Sequence, residues 1–234
     1  MPQIEQNTSV LDVWLASLLE DFDEKEVPSP TKVQNILKKA KEATGANIKE
    51  YIGQGDNGIV FLSDKNTVLK YTIDAGEATL WGMLKTKPHS GIAQSFGSWQ
   101  IGNTIVYLVH VEYLPNQLRA TEADQIKEAN QAAKENAKKL IKNKSEWPAT
   151  HTGQLVRAYA TGGLNNVAGA LKHLWDLGVR IYDLQPENFK KSKMGDIKIV
   201  DPSVPSLPTG IKPPSRIAFE NKLQMAFYVD RIII

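Results

Sequence analysis

Three polar side chains in the second half of the chain have the types and spacing that chemistry on a metal-bound substrate requires. Asp183 and Asn188 begin and end the sequence DLQPEN, and Asp201 follows an extended apolar run a short distance further on. An Asx turn explains any one of these residues singly. Together they would bring one base and two hard oxygen ligands into one cleft, which suits Mg²⁺. The sequence therefore predicts a Mg²⁺ site with a base beside it.

A glycine-rich segment in the first half has the pattern G-x-G-x-x-G-x-V, formed by Gly53, Gly55, Gly58 and Val60. Glycine lets the backbone approach a phosphate closely, although a glycine-rich hairpin turn gives the same pattern. A dinucleotide fingerprint needs a helix directly after the glycines, whereas residues 59–62 are typical of a strand. A P-loop ends in Gly-Lys-Ser/Thr, which is absent here. The pattern favours a phosphate-covering loop between two antiparallel strands.

Lys70 and Glu77 are candidates for an ion pair that would hold phosphates. Lys70 lies in an apolar strand-like run, where a lysine is usually an edge residue with its ammonium group in water. Glu77 stands three residues after Asp74, which is also the spacing of a capping box, so capping is the alternative role. Glu77 shares one helical face with three apolar residues, which directs the carboxylate inward and favours the ion pair.

Residues 170–188, ALKHLWDLGVRIYDLQPEN, resemble the helix and catalytic loop of eukaryotic-type protein kinases, whose consensus is H-R-D-L-K-P-E-N. With the glycine-rich segment, the resemblance extends over residues 48–203. Glu112 and Leu114, in Glu-Tyr-Leu, resemble the hinge whose main-chain groups pair with adenine. The resemblance implies that the glycines, Val60 and the hinge bind ATP.

The same resemblance implies a role for each candidate catalytic residue. Asp183 would be the catalytic base, and Asn188 and Asp201 would hold Mg²⁺. Lys70, paired with Glu77, would orient the phosphates of ATP.

Several positions depart from the kinase pattern. Ile181 and Tyr182 replace the His and Arg of H-R-D, which leaves no arginine to bind a phosphorylated activation loop. The D-F-G motif is replaced by Asp-Pro-Ser, and Pro202 fixes φ where the family has a mobile Phe. Only 31 residues follow Ser203, and no A-P-E motif is among them. With these departures, the chain is similar to the trimmed kinases of bacterial effectors and phages.

Gln185 takes the place of the lysine that usually neutralises the γ-phosphate, and we count it among the catalytic residues. The replacement removes a positive charge where negative charge develops in the transition state. Lys190 or Lys191 is an alternative source of that charge.

The elements that must position these residues follow from periodicity and turn signals. Helices are expected within 1–46. Strands are then expected at 49–53, 58–63 and 67–72, a helix at 74–85, and strands at 92–100 and 104–114. Helices follow at 119–146 and 153–177, and Gly162-Gly163 is a candidate break that would divide the second of them. The chain continues with strands at 179–182 and 197–200 and a helix near 216–232. This order predicts an α+β, bilobal, protein-kinase-like fold with a reduced C-lobe. Its parts are a helical N-terminal extension (1–46), an N-lobe with hinge (47–114) and a C-lobe (115–234) that includes a polar, exposed helical insert at 119–150.

Composition excludes several classes of protein. The net charge of +2 on 28 basic and 26 acidic residues is far from that of a dedicated nucleic-acid binder. No apolar run is long enough for a membrane span, and the chain has no cysteine for a disulfide, a thiolate zinc site or a thiol nucleophile. We expect a cytosolic protein, in the host cytosol for an effector or phage protein. A basic face over 134–144 is usually just solvated, and an acidic partner is the alternative.

The sequence thus predicts an ATP- and Mg²⁺-dependent phosphotransferase, foremost a Ser/Thr protein kinase acting on a protein substrate without a conventional activation segment. Two alternatives stay open. A pseudokinase would be a nucleotide-binding or scaffold module, as Gln185 and Pro202 suggest, and a small-molecule kinase would need no platform for a protein substrate.

Overall fold

The computed structural model describes residues 30–55, 58–101, 106–141, 147–179, 181 and 184–202. These residues divide into two compact units. The sheet unit holds the described residues of 30–85 and 95–113, and the helical unit holds those of 86–94 and 114–202. The helices expected before residue 30 and near 216–232, the turn at 102–103, and Tyr182 and Asp183 lie outside the described residues.

The sheet unit is an antiparallel five-stranded sheet with two helices. The strand order is β1-β2-β3-β5-β4. The elements are α1 (Pro30–Thr44), β1 (Ile48–Gly55), β2 (Gly58–Ser63), β3 (Thr67–Thr72), α2 (Ala75–Thr86), β4 (Ser95–Gln100) and β5 (Tyr107–Glu112).

One face of this sheet forms a hydrophobic core with α1. Phe61 pairs with Leu69 across β2 and β3, and Ile59 pairs with Tyr71, so these four buried side chains lie on the same face. Ala40 of α1 belongs to the same core cluster. Because neighbouring residues of a strand point to opposite faces, Lys70 lies on the other face of β3.

Helix α2 begins where Asp74 caps it. Asp74 Oδ1 accepts hydrogen bonds from the N–H groups of Gly76 (2.7 Å) and Glu77 (3.0 Å), which satisfies two donors of the first turn. Residues of one face of the helix are buried, namely Glu77, Ala78, Leu80, Trp81 and Leu84. Polar contacts to β4, such as Ser95 Oγ donating to the Trp81 carbonyl (2.6 Å), fix the helix on the sheet.

The helical unit contains three helices and a short ribbon in its described part. The elements are α3 (Ala120–Leu140), α4 (Trp147–Thr161), α5 (Asn165–Asp176), a 3₁₀ turn (Pro186–Asn188), β6 (Phe189–Lys191) and β7 (Ile197–Ile199). The antiparallel β6–β7 ribbon pairs Phe189 with Ile199. Both of these residues are fully buried.

The structure corrects several element boundaries in the helical unit. The helix expected over 153–177 begins earlier, at Trp147, and it is divided at Gly162-Gly163 as that glycine pair indicates, since Gly163 has a φ of 78° that favours glycine. The expected strand at 179–182 is wrong, since Val179 and Ile181 are not in a strand. The strand β6 was not expected.

The helix over 119–146 is not simply an exposed insert. It ends at Leu140, and it buries a seam at helical spacing formed by Glu122, Ile126, Ala129, Ala133 and Ala137. The small alanines let α4 pack closely on this seam, so the polar composition hides a packing face. The protein is therefore mixed α+β, as the order of elements predicts. In the described part of the chain, no helix is long and apolar enough to cross a membrane.

Candidate functional site

The glycine-rich segment forms the hairpin of β1 and β2, as predicted, with Gly53 paired to Val60 and Gly55 paired to Gly58. The glycines differ in what surrounds them. A Cβ on Gly58 would lie 2.6 Å from the Tyr71 carbonyl oxygen, so only glycine lets β2 approach β3 there. A Cβ on Gly53 would meet nothing within 4 Å. Gly58 is thus required by packing, whereas the space over Gly53 is open to a ligand.

The ion pair predicted between Lys70 and Glu77 is present. Lys70 Nζ lies 2.6 Å from Glu77 Oε1, with 19% of the lysine side chain and 8% of the glutamate side chain exposed. Lys70 pairs with Val60 of β2 and Val109 of β5, so its stem runs over apolar neighbours. The pair therefore places one ammonium group beside the glycine-rich hairpin, within the sheet unit.

The geometry of the first turn of α2 decides between capping and ion pairing for Glu77. In a capping box, Glu77 would accept the backbone N–H of Asp74. That N–H donates instead to Thr72 Oγ1 at 3.1 Å. Asp74 performs the capping of the helix, so the Glu77 carboxylate is available to Lys70.

The two hinge candidates lie at the end of the sheet unit and the start of the helical unit. Glu112 is the last residue of β5, pairs with Thr67 of β3 and is half-buried. Leu114 is buried in the helical unit, 6% exposed. Their role in binding adenine stays a prediction.

In the helical unit, the backbone brings the two candidate metal ligands together. The Asn188 carbonyl accepts hydrogen bonds from the N–H groups of Val200 (2.8 Å) and Asp201 (3.4 Å). The Asn188 N–H donates to the Gln185 carbonyl at 2.9 Å, which closes the 3₁₀ turn, and Asn188 Oδ1 accepts the N–H of Gln185 at 2.8 Å, which caps it. The Gln185 side chain is exposed. An amide oxygen has two lone pairs, so Asn188 Oδ1 keeps one for a metal.

The two candidate ligands, Asn188 and Asp201, suit Mg²⁺ better than a metal that takes all of its ligands from the protein. Within the described residues, no group of three or more His, Asp or Glu side chains could hold a metal ion. Mg²⁺ is usually bound by one or two protein oxygens, with water and substrate phosphates completing the octahedron. Asn188 and Asp201 carry oxygens of this kind, and their role as Mg²⁺ ligands stays a prediction.

The chain on either side of Tyr182 and Asp183 is held by side chains that sequence reasoning missed. Asn130 Nδ2 donates to the Leu184 carbonyl, and the Tyr159 hydroxyl donates to Asn130 Oδ1 at 2.8 Å. Thr152 Oγ1 donates to the Ile181 carbonyl at 3.5 Å. These residues lie on α3 and α4, where only the buried face of each helix could have indicated them.

Lys190 and Lys191 are the two lysines that could replace the charge missing at Gln185. Lys191 is already engaged in an ion pair. Lys191 Nζ lies 2.9 Å from the buried Glu122 Oε1. Hydrogen bonds from Arg119 first, and then from Lys191, lower the pKa of Glu122 to about 2. Lys190 donates to Gln117 Oε1, and burial lowers the pKa of its ammonium group.

The sequence was compared with protein-family models and with curated proteins, and neither comparison finds a match.

Proposed function

We propose that the chain is an ATP- and Mg²⁺-dependent phosphotransferase with a bilobal, protein-kinase-like fold, a reduced C-lobe and a helical N-terminal extension. The observation that carries the proposal is the Lys70–Glu77 ion pair beside an open glycine hairpin. A strand lysine held by a helix glutamate is the arrangement by which kinases orient phosphates. Here the capping of α2 by Asp74 supports a ligand-directed role for Glu77.

Each residue has a distinct role in the proposed reaction. Lys70 orients the phosphates, and Gly53 leaves space for their approach. Asn188 and Asp201 would hold Mg²⁺, which supplies charge neutralisation on the phosphate oxygens when bound. Asp183 accepts the proton of the acceptor hydroxyl. A protein Ser or Thr is the acceptor that we propose first, with the hydroxyl of a small molecule as the alternative.

A second candidate is a nucleotide-binding module without transfer activity. The observation that favours it is the hydrogen bond from the Gln185 N–H to Asn188 Oδ1 (2.8 Å), which occupies one lone pair of a metal ligand. The neutral Gln185 side chain also lacks the charge that would stabilise the transferring phosphate.

Radiolabelled γ-phosphoryl transfer from ATP distinguishes these candidates. Purified wild type and Asp183→Asn are incubated with Mg²⁺ and cell lysate, and label is measured in the protein and small-molecule fractions. A phosphotransferase should label one fraction, and Asp183→Asn should lower the rate roughly 10²-fold or more. Binding of ATP with equal background labelling by both proteins would favour the second candidate, and absence of ATP binding would contradict both.

A further inference from the structure

Residues 89–93 of the helical unit lie alongside β7 as a short parallel segment. Ile92 forms a parallel bridge with Ile199. The Ile199 N–H donates to the Gly91 carbonyl, and the Ala93 N–H donates to the Ile199 carbonyl, both at 2.9 Å. Asp201 lies two residues after the end of β7 and donates its own N–H to the Asn188 carbonyl. The strand end that carries Asp201 is therefore held by this segment on one side and by Asn188 on the other.

Gly91 is the residue of this segment that packs against α5. A Cβ on it would overlap the Asn166 carbonyl and come within 2.9 Å of Ala170 Cβ, so the backbone lies directly on α5. The buried Gly91 N–H donates to His89 Nδ1 at 3.0 Å. A histidine nitrogen accepts a hydrogen bond only when it carries no proton. Protonation of His89 at Nδ1 would therefore leave a buried N–H without its acceptor, which is costly.

The surroundings of His89 keep its imidazole neutral near pH 7. Its ring stacks on His173 of α5, with centroids 5.2 Å apart, and His173 Nε2 lies 2.9 Å from the Lys87 carbonyl oxygen. Burial first, and then the charge of His173, lowers the pKa of His89. The other charged side chains on the elements packed here are the Lys172–Asp176 ion pair of α5, Lys198 of β7 and Lys87.

We propose that His89 is a positioning residue for the Asn188–Asp201 pair, and that it acts only as the neutral imidazole. The proposal rests on the proposed function of that pair as a Mg²⁺ site. His89 fixes Gly91, Gly91 fixes Ile199, and Ile199 sets the strand end that carries Asp201. The interaction is present above the pKa of His89 and is lost as the pH falls through it, so Mg²⁺-dependent ATP binding should weaken in acid.

Two substitutions of His89 distinguish loss of the hydrogen-bond acceptor from protonation of the imidazole. His89→Asn keeps an acceptor, because Asn Oδ1 accepts the N–H two residues further along the chain in an Asx turn, and it does not titrate. His89→Ala removes the acceptor at every pH. ATP binding with Mg²⁺ is measured by calorimetry at about pH 7.5 and about pH 4.5, because the lowered pKa of His89 requires a pH below the usual histidine range.

Wild type should lose at least about fivefold more affinity on acidification than His89→Asn, a typical coupling between sites. His89→Asn serves as the control because it reports the change that is intrinsic to the phosphates of ATP. His89→Ala should bind weakly at both pH values. Should His89→Ala fail to fold, wild type and His89→Asn decide the question, and the same pH dependence in both overturns the role of His89.

Hydrogen exchange separates failure of this inference from failure of the proposed function. No ATP binding by wild type at either pH overturns the proposed function. In that case the amides of Ile199 and Ala93, compared at one pH without ligand, still test the contact itself. They should exchange faster in His89→Ala than in His89→Asn, and equal rates in all three proteins would overturn the positioning of β7 by His89.

Discussion

Two lysine–glutamate ion pairs, one in each unit, have nearly the same construction. Each joins a strand lysine to the glutamate at the third position of a helix, at 2.6 Å for Lys70–Glu77 and 2.9 Å for Lys191–Glu122. The carboxylates are buried to the same extent, with 8% and 9% of their side chains exposed. By burial and distance alone, the two pairs are equivalent.

The pairs differ in which residue caps the helix. Asp74 caps α2, so Glu77 is not needed there. In α3, Glu122 itself accepts the N–H of Arg119 (2.8 Å) and also the guanidinium of Arg119, so its oxygens are occupied by its own helix and by Lys191. A buried carboxylate that is relieved of capping can serve a ligand, whereas one that caps its helix serves the fold.

The largest expected difference is in phosphoryl transfer. Removing both charges of a pair avoids leaving a buried ion alone, so each double variant should fold. Lys70→Met with Glu77→Gln should lower the single-turnover transfer rate about 10²-fold or more, because charge beside the phosphates is lost. Lys191→Met with Glu122→Gln should keep the rate within about threefold, since the Glu122 carboxylate is already engaged by Arg119 and Lys191. Equal losses in the two double variants would contradict the distinction between the pairs.

The next-largest expected effect is on the stability of variants in which only one partner of an ion pair is replaced. Breaking a buried pair by removing one partner costs about 3 kcal/mol in the free energy of unfolding. Lys191→Met should cost less than this, because Glu122 keeps Arg119 as a partner. Urea denaturation measures the cost, with the exposed Lys134→Met of α3 as the control, expected to change stability by less than about 0.5 kcal/mol. A full cost of about 3 kcal/mol for Lys191→Met would contradict the roles assigned to the capping residues.

A smaller effect separates two glycines of the hairpin. Gly58→Ala should lower the free energy of unfolding by about 1–3 kcal/mol, because its Cβ would press on the Tyr71 carbonyl. Gly53→Ala should leave the free energy of unfolding nearly unchanged and weaken ATP binding, because its Cβ would fill open space. Thermal denaturation and ATP calorimetry on both variants check this. A destabilised Gly53→Ala with normal affinity for ATP would show that Gly53 serves packing.

The smallest expected effect at neutral pH is on stability, and it concerns the Lys191–Glu122 pair. The folded pKa of Glu122, about 2, lies below its usual value of 4.5, so its contribution to stability is present above 4.5 and is lost as the pH falls toward 2. Wild type should therefore lose stability in this window more steeply than Glu122→Gln. Denaturation from about pH 6 down to about pH 3 measures the two slopes, and parallel curves would contradict the pKa shift.

The elements of the sheet unit were accessible to sequence reasoning because their signals are local. The bounds expected for β2 and β3, 58–63 and 67–72, are those observed, since short apolar runs lie on either side of a turn at 64–66. The cap at Asp74 and the pair Lys70–Glu77 also follow from short spacings. Asp183, the base in the prediction, lies outside the described residues, so its position stays a prediction.

The helical unit was predicted less well because its contacts are distant in sequence. The Lys191–Glu122 pair joins residues 69 positions apart, and Asn130 meets Leu184 across 54 positions. The strand β6 has only three residues, two of them lysines, so no alternation was visible. The alanine seam of α3 has low hydrophobicity, and its polar neighbours made the helix resemble an exposed insert.

The most direct test of the central claim is competitive amine labelling of Lys70 and Lys191 with and without ATP and Mg²⁺. The two lysines are comparably buried, with 19% and 15% of their side chains exposed, so each serves as the reference for the other. Acylation at each site is quantified by mass spectrometry under native conditions. ATP with Mg²⁺ should slow the labelling of Lys70 and leave that of Lys191 unchanged. Unchanged labelling of Lys70 at saturating ATP, or protection of Lys191 instead, would contradict the assignment of Lys70–Glu77 as the pair that binds nucleotide.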